Sequence, residues 1–256
     1  MTEPTLETRL KMRERPPGRS PVMYQKWLDL LFLHWEFSPG AVQSTLPQGL
    51  YVDTFGGKAY LGVVPFFMRD VRPRFVPSVP GVSNFLELNV RTYVHDRRGT
   101  PGVWFYSLDA NQYLAVKAAR FFFSLPYFYS EMESEIDPAS REVTYSSRRR
   151  GTDAGLQSSF RYRPTSDTHT AAPGTLEFFL VERYVLFAHS RKGRLYSGRV
   201  WHSPYQLAPV EVGGLNENVL RLDGFSKPAA APAHMIMSPR VEVDIFGLED
   251  VTPTSQ

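Results

Sequence analysis

Short apolar or alternating runs, each closed off by glycine or proline, follow one another along nearly the whole chain. That pattern restricts it to a mainly β (α+β) architecture, in which many short strands build a closed antiparallel sheet or two packed sheets. An aromatic content of 14% fits, because flat rings pack well across neighbouring strands. Helix signals are clearest in two places, and TLETRLKMRER near the N-terminus is able to form a short helix on contact with a partner. Ser38-Pro39-Gly40 reads as a helix start, with Ser38 as N-cap, Pro39 at the first position and Pro47 as the limit. Residues 110–122 (ANQYLAVKAARFF) are Ala-rich, with Asp109 or Asn111 available as a cap, and Pro126 bars continuation.

Among the strands, NFLELNVRTYVHD and GVWFYSLDA form a hairpin closed by RRGTPG, and YVDTFGGKAYLGVVPFFMRDVR forms two strands around Gly56-Gly57. Residues 24–35 (YQKWLDLLFLHW) suit a strand or a helix, and periodicity does not decide between them. TLEFFLVERYVLFAH reads as a β-like run, which sends Glu182 and Arg183 to opposite faces. Whichever points inward needs a partner, and a structural ion pair is the favoured reading. KPAAAPAHM is a Pro/Ala linker, so the final VEVDIFGL returns from a distance to pair with the body.

Several functional classes are excluded. With no cysteine there are no disulfides, thiolate metal sites or cysteine nucleophiles. The six histidines (34, 95, 169, 189, 202, 234) lack zinc-site spacing, so no metal is expected. No P-loop, G-x-G-x-x-G or G-x-S-x-G occurs, and no cofactor is expected. The formal charge is +3, and the basic run SRRRG reads as a solvated hairpin or loop, not a nucleic-acid site. No run approaches the ~18 apolar residues of a membrane span. No apolar segment follows the N-terminal charges, so the expectation is a cytoplasmic protein.

Polar residues with chemical potential cluster between positions 85 and 127. Glu87, Asn89 and Arg91 alternate along one strand face. That face is a polar wall of a pocket, a solvent-facing surface, or the seat of a Glu87–Arg91 structural pair. Arg120 precedes Pro126-Tyr127 by six residues. His202 ends a strand before Pro204 and reads as a general base or as a hydrogen-bonded structural imidazole; His34 has the same two readings.

The strings LFLHWEF, LPQGLYVDTFGGKAYLGVVPF, FLELNVRTYV, FYSLDA, ARFFFSLPY, ERYVLF and VWHSPYQL run in this order over residues 22–212. Together they resemble the YqjF-like, DUF2071 group of bacterial proteins, placed in the acetoacetate decarboxylase-like superfamily. The resemblance implies a curved antiparallel β-barrel around a central cavity, with one or two short helices. Residues 22–248 would form this single β-barrel domain, 1–21 a flexible N-terminal tail and 249–256 a C-terminal tail. The decarboxylase motif has an aromatic, one residue and a glutamate, matched by Phe85-Leu86-Glu87. It has an arginine six residues before a proline, matched by Arg120 and Pro126. Two lysines follow that proline, and the first forms the Schiff base; here Tyr127 and Phe128 stand instead. A phenol cannot form an iminium ion. The resemblance therefore implies a pocket for a small organic carboxylate or carbonyl compound. Glu87 and Tyr127 are its candidate acid/base pair, and Arg91, Asn89, Arg120 and His202 its candidate substrate contacts. A non-catalytic ligand-binding or sensing protein, and an interaction module whose cavity is filled by its own aromatics, are the competing readings. A homo-oligomer is left open.

Overall fold

A computed structural model of the chain describes residues 2–253. Its strands are β1 (Met23–Phe37), β2 (Tyr51–Val52), β3 (Ala59–Pro73), β4 (Phe85–His95), β5 (Pro101–Ala110), β6 (Tyr127–Ile136) and β7 (Val143–Arg149). They continue as β8 (Ser158–Pro164), β9 (Val185–His189), β10 (Leu195–His202), β11 (Val210–Asn216), β12 (His234–Ile245) and β13 (Glu249–Asp250). The helices are α1 (Leu6–Lys11), α2 (Pro39–Gln43), α3 (Tyr113–Phe123), α4 (Leu176–Val181) and α5 (Val219–Leu222).

The pairing closes on itself. From β5 the order runs through β9, β10, β12, β1, β3 and β4, and β4 pairs back onto β5. This ring is antiparallel except at one seam, where Val103 and Trp104 of β5 lie parallel to Leu186 and Phe187 of β9. The upper edge of β5 is used differently. There Leu108–Ala110 pair in parallel with Tyr127–Tyr129 of β6, which leads outward to β7, β8 and β11. The sheet is thus mixed, where the sequence pattern suggested a purely antiparallel one. Strand β5 forks because its first half serves β9 and its second half β6. Gly102 sits at the fork, where a Cβ would come within 2.7 Å of the Phe187 ring and of the Val185 carbonyl oxygen. Only a residue without a side chain lets β9 approach that closely.

Among the described residues, α1 falls in the segment read as able to form a short helix, α2 and α3 were legible, and α4 was misread as strand. Helix α2 starts with Pro39 after Ser38, as expected. Helix α3 begins at Tyr113, later than expected, and Gln112 caps it by accepting from the Leu114 N–H. The two foreseen caps are engaged elsewhere: Asn111 accepts from the Leu86 N–H at 2.8 Å, and Asp109 pairs with Arg149 at 2.9 Å. The run TLEFFLVERYVLFAH is not all β. Thr175 caps α4, Glu177 lies in its first turn, and the strand begins only at Val185. Helix α4 is apolar from Phe178 to Val181 and wholly buried there, so no amphipathic period marks it as a helix.

The basic run at 147–151 is also not simply solvated. Arg149 is buried between Asp109 (2.9 Å) and Asp223 (3.1 Å), against the face of the Phe128 ring. The N-terminal residues, read as a flexible tail, lie along the ring instead. Arg9 donates two hydrogen bonds of 2.7 Å to Asp53, and Arg13 stands 3.4 Å from Glu182. Further along, Arg15 pairs with Asp244 and stacks on Trp201, while Arg19 donates to the Gly247 carbonyl. Arg9, Arg13 and Arg15 find buried or half-buried carboxylates on the body, which composition alone could not reveal. At the other end, Glu249 and Asp250 add β13 to β10; the rest of the expected C-terminal tail, 254–256, lies outside the described residues. Replacing Arg9 with alanine should leave Asp53 with one of its two guanidinium partners. We expect a loss of about 2 kcal/mol, read from urea unfolding.

Candidate functional site

The ring encloses a cavity of about 330 Å³. Strand β4 supplies its polar wall. Phe85, Glu87, Asn89 and Arg91 share one face, as the period-two pattern predicted, and that face lines the cavity. Their register partners on β3, namely Met68, Phe66 and Val64, face the same space, so the neighbouring wall is apolar. Helix α3 covers one side with Ala115, Ala118 and Ala119, whose small side chains leave the hollow open. The cavity is thus a real space and not one filled by the chain's own aromatics.

Tyr127 is the first residue of β6 and reaches Glu87. Its hydroxyl donates to Glu87 Oε2 at 2.7 Å. Burial pushes the Glu87 carboxyl up to about 7, against hydrogen bonds from Tyr127 and Asn89 that favour the ionised form. Burial and the adjacent Glu87 hold the Tyr127 phenol well above its ordinary value, so it remains a donor. Near neutrality Glu87 therefore populates both protonation states, which is what a group that gives and takes protons needs. Asn89 Oδ1 is buried with no hydrogen-bond partner.

Arg91 lies deeper. It is 7% exposed and makes no ion pair among the described residues, nor does it pair with Glu87. One long hydrogen bond, 3.4 Å to the Leu180 carbonyl, and the ring faces of Phe32 and Tyr93 are its contacts, and its Nε has no partner. Arg183 lines the cavity as well. It is held by Asp53 (2.7 Å) and the Phe179 carbonyl (2.7 Å), and burial lowers it to about 10. Asp53 answers both Arg183 and Arg9, so this cluster and Arg91 together leave the inner end of the cavity electropositive.

The other candidates fall outside this row. Arg120 is exposed; it donates to the Tyr127 carbonyl at 2.6 Å and so fixes the start of β6 instead of meeting a ligand. His202 stands behind the wall, stacked 4.5 Å from Tyr184, with Nδ1 2.8 Å from the Ser203 carbonyl and a pKa lowered by burial. Both are corrections to the expected set of substrate contacts. His34 bonds Tyr93 (2.6 Å) and His234 (3.0 Å) and takes no part in the cavity. Arg183 and Tyr205 line the cavity and were not among the expected site residues. The clue for Arg183 was two charges inside an apolar run, read as an ion pair. Both charges do find ionic partners: Arg183 pairs with Asp53, and Glu182 stands 3.4 Å from Arg13 while accepting from the Tyr184 hydroxyl and the Tyr205 N–H. No lysine is among the lining residues; Lys117 sits against the ring of Tyr113. Among the described residues no three histidine, aspartate or glutamate side chains gather as a metal would need.

The sequence model of DUF2071, described as an uncharacterized conserved protein, matches residues 24–242. The chain belongs to the DUF2071 family. Uncharacterized protein YqjF of Bacillus subtilis (strain 168) is 37% identical over 211 residues, 82% of this chain and 85% of that protein. Among solved structures, an acetoacetate decarboxylase-like enzyme from Sphingomonas wittichii RW1 matches with a TM-score of 0.60 at 14% identity, over 92% of this chain and 95% of that one. The enduracididine biosynthesis enzyme MppR complexed with pyruvate matches with a TM-score of 0.60 at 14% identity, over 94% and 95%. At such identities the likeness establishes the fold. This DUF2071 chain therefore has the acetoacetate decarboxylase-like fold that its sequence strings implied.

Proposed function

We propose that this DUF2071 protein binds a carboxylate-bearing carbonyl compound in the cavity, and that Glu87, assisted by Tyr127, moves a proton on it. The observation that carries this reading is Arg91. A buried guanidinium without a counter-ion is costly, and a ligand carboxylate is the natural group to complete it. Glu87 stands two strand steps along the same face, about 13 Å of extended backbone away. In its ionised form it removes a proton from the carbon next to a carbonyl. The C–H electron pair then forms the enolate, and the proton resides on Glu87 until it is returned. In its neutral form, Glu87 donates to the carbonyl oxygen. Covalent amine chemistry is not part of this reading, because a phenol occupies position 127 and the lining residues offer no amine.

The test is hydrogen exchange. Wild-type protein incubated with 2-oxo and 3-oxo acids in D2O should exchange the proton next to the carbonyl, followed by NMR. The Glu87→Gln variant should slow exchange by roughly 100-fold or more. Exchange unchanged in that variant removes Glu87 from the chemistry. Binding without exchange leaves a ligand-binding protein in place of an enzyme. Borohydride treatment with acetoacetate should yield no lysine adduct, and an adduct on any lysine peptide would overturn the exclusion of amine catalysis.

A further inference from the structure

The cavity is larger and more apolar than a short oxo acid requires. At about 330 Å³ it falls in the range of pockets that hold drug-sized molecules, roughly 300–1,000 Å³. Its polar groups are also laid out along a line. Phe85 and Glu87 lie at the end of β4 that pairs with Ala110 just before α3, Asn89 comes next, and Arg91 lies furthest along β4 from that helix, in a lining that also includes Arg183 and Tyr205. A ligand of a few carbons anchored on Arg91 does not extend past Glu87 into the remaining space, which is bounded by apolar side chains.

The mouth points the same way. Leu114 and Phe122 of α3 line the cavity and are at the same time 58% and 68% exposed, so the hollow opens to solvent along this helix. On the cavity side the helix offers Ala115, Ala118 and Ala119, a smooth apolar track at helical spacing. Outside it, Phe121 is 81% exposed. An entrance built of aliphatic and aromatic side chains would be a poor portal for a small, strongly hydrated acid. It suits a molecule whose trailing part is itself apolar.

We infer that the ligand is an amphiphilic carboxylate, with its head on Arg91, its reacting carbon beside Glu87 and Tyr127, and an extended alkyl or arylalkyl body running along the alanine face of α3 to the mouth. The inference rests on the anion-binding reading above and adds the chemical class of the body. It sets this chain apart from a pocket shaped only for pyruvate-sized acids.

Isothermal titration of the full chain with straight-chain carboxylates from butanoate to dodecanoate, and with the matching 1-alkanols, tests both parts. Each added methylene should tighten carboxylate binding about fourfold until the cavity is filled. The alkanols should bind at least roughly thirtyfold more weakly than the acids of equal length. Ala119→Leu, which adds bulk to the alanine face of α3, should shorten the chain length at which affinity stops rising. Affinity independent of chain length overturns the amphiphile while leaving the anion site intact. Alkanols that match the acids overturn the head-group reading on which the inference rests. No binding by any member overturns both.

Discussion

Replacing Arg91 with methionine is expected to make the empty protein more stable and to remove its affinity for carboxylates. The guanidinium is buried, its Nε has no partner, and its one hydrogen bond is 3.4 Å long. Substituting well-packed apolar residues for poorly compensated buried charge is often neutral or stabilising by about 1–4 kcal/mol. The aromatic faces of Phe32 and Tyr93 offset part of the cost in the native protein, so the gain should fall in the lower part of that range. Binding should move the other way. Losing the partner of a buried ligand carboxylate costs about 2–5 kcal/mol, or roughly thirtyfold to several thousandfold in Kd. Urea unfolding and calorimetric titration on one preparation measure both effects. A variant that unfolds more easily while binding carboxylates as before would show that Arg91 is a structural strut.

The second large effect is a pH dependence that belongs to Glu87. Its folded pKa of about 7 lies above the ordinary 4.5 because burial penalises the charged form. Below about pH 4.5 the carboxyl is protonated in both the folded and unfolded chain, and its contribution to stability is fully present. As pH rises towards 7 the unfolded chain releases its proton first, so stability falls, and above the folded pKa the loss is complete. The span corresponds to about 3 kcal/mol. Glu87→Gln cannot ionise and should lack this fall. Wild type and variant should have similar urea midpoints near pH 4 and diverge towards pH 8, with the variant the more stable. Asp109, pushed up to about 6 by burial, and Asp223, raised for the same reason, titrate in both proteins and cancel in the difference. Parallel curves for the two proteins would mean that Glu87 titrates in the folded chain as it does in the unfolded one.

The polar row on β4 was readable because a strand alternates strictly. Once FLELNVR is extended, Glu87, Asn89 and Arg91 must share a face, and only the location of that face was open. The Tyr127–Glu87 contact could not be read that way. It depends on the parallel register of Leu108 with Tyr127, set by a fork in β5 that leaves no local mark except Gly102. Helix α4 escaped notice for a related reason: a segment buried on all sides carries no periodic signature, and its cap, Thr175, is one ordinary threonine among several. Arg120 was singled out by its spacing from Pro126 and His202 by its place at a strand end, and neither side chain is among those lining the cavity. One holds a backbone carbonyl and the other supports aromatic neighbours, and distance along the chain says nothing about which way a side chain turns.

The pairing of β1 with β12 sets Met23 opposite Ile245, more than two hundred residues apart. During synthesis the wall built on β1 therefore waits for a segment made more than two hundred residues later. Until then β1 presents an unsatisfied edge, and the chamber has no complete circumference. A nascent chain stopped short of residue 234 would carry every residue of the polar row and still possess nowhere to hold a ligand.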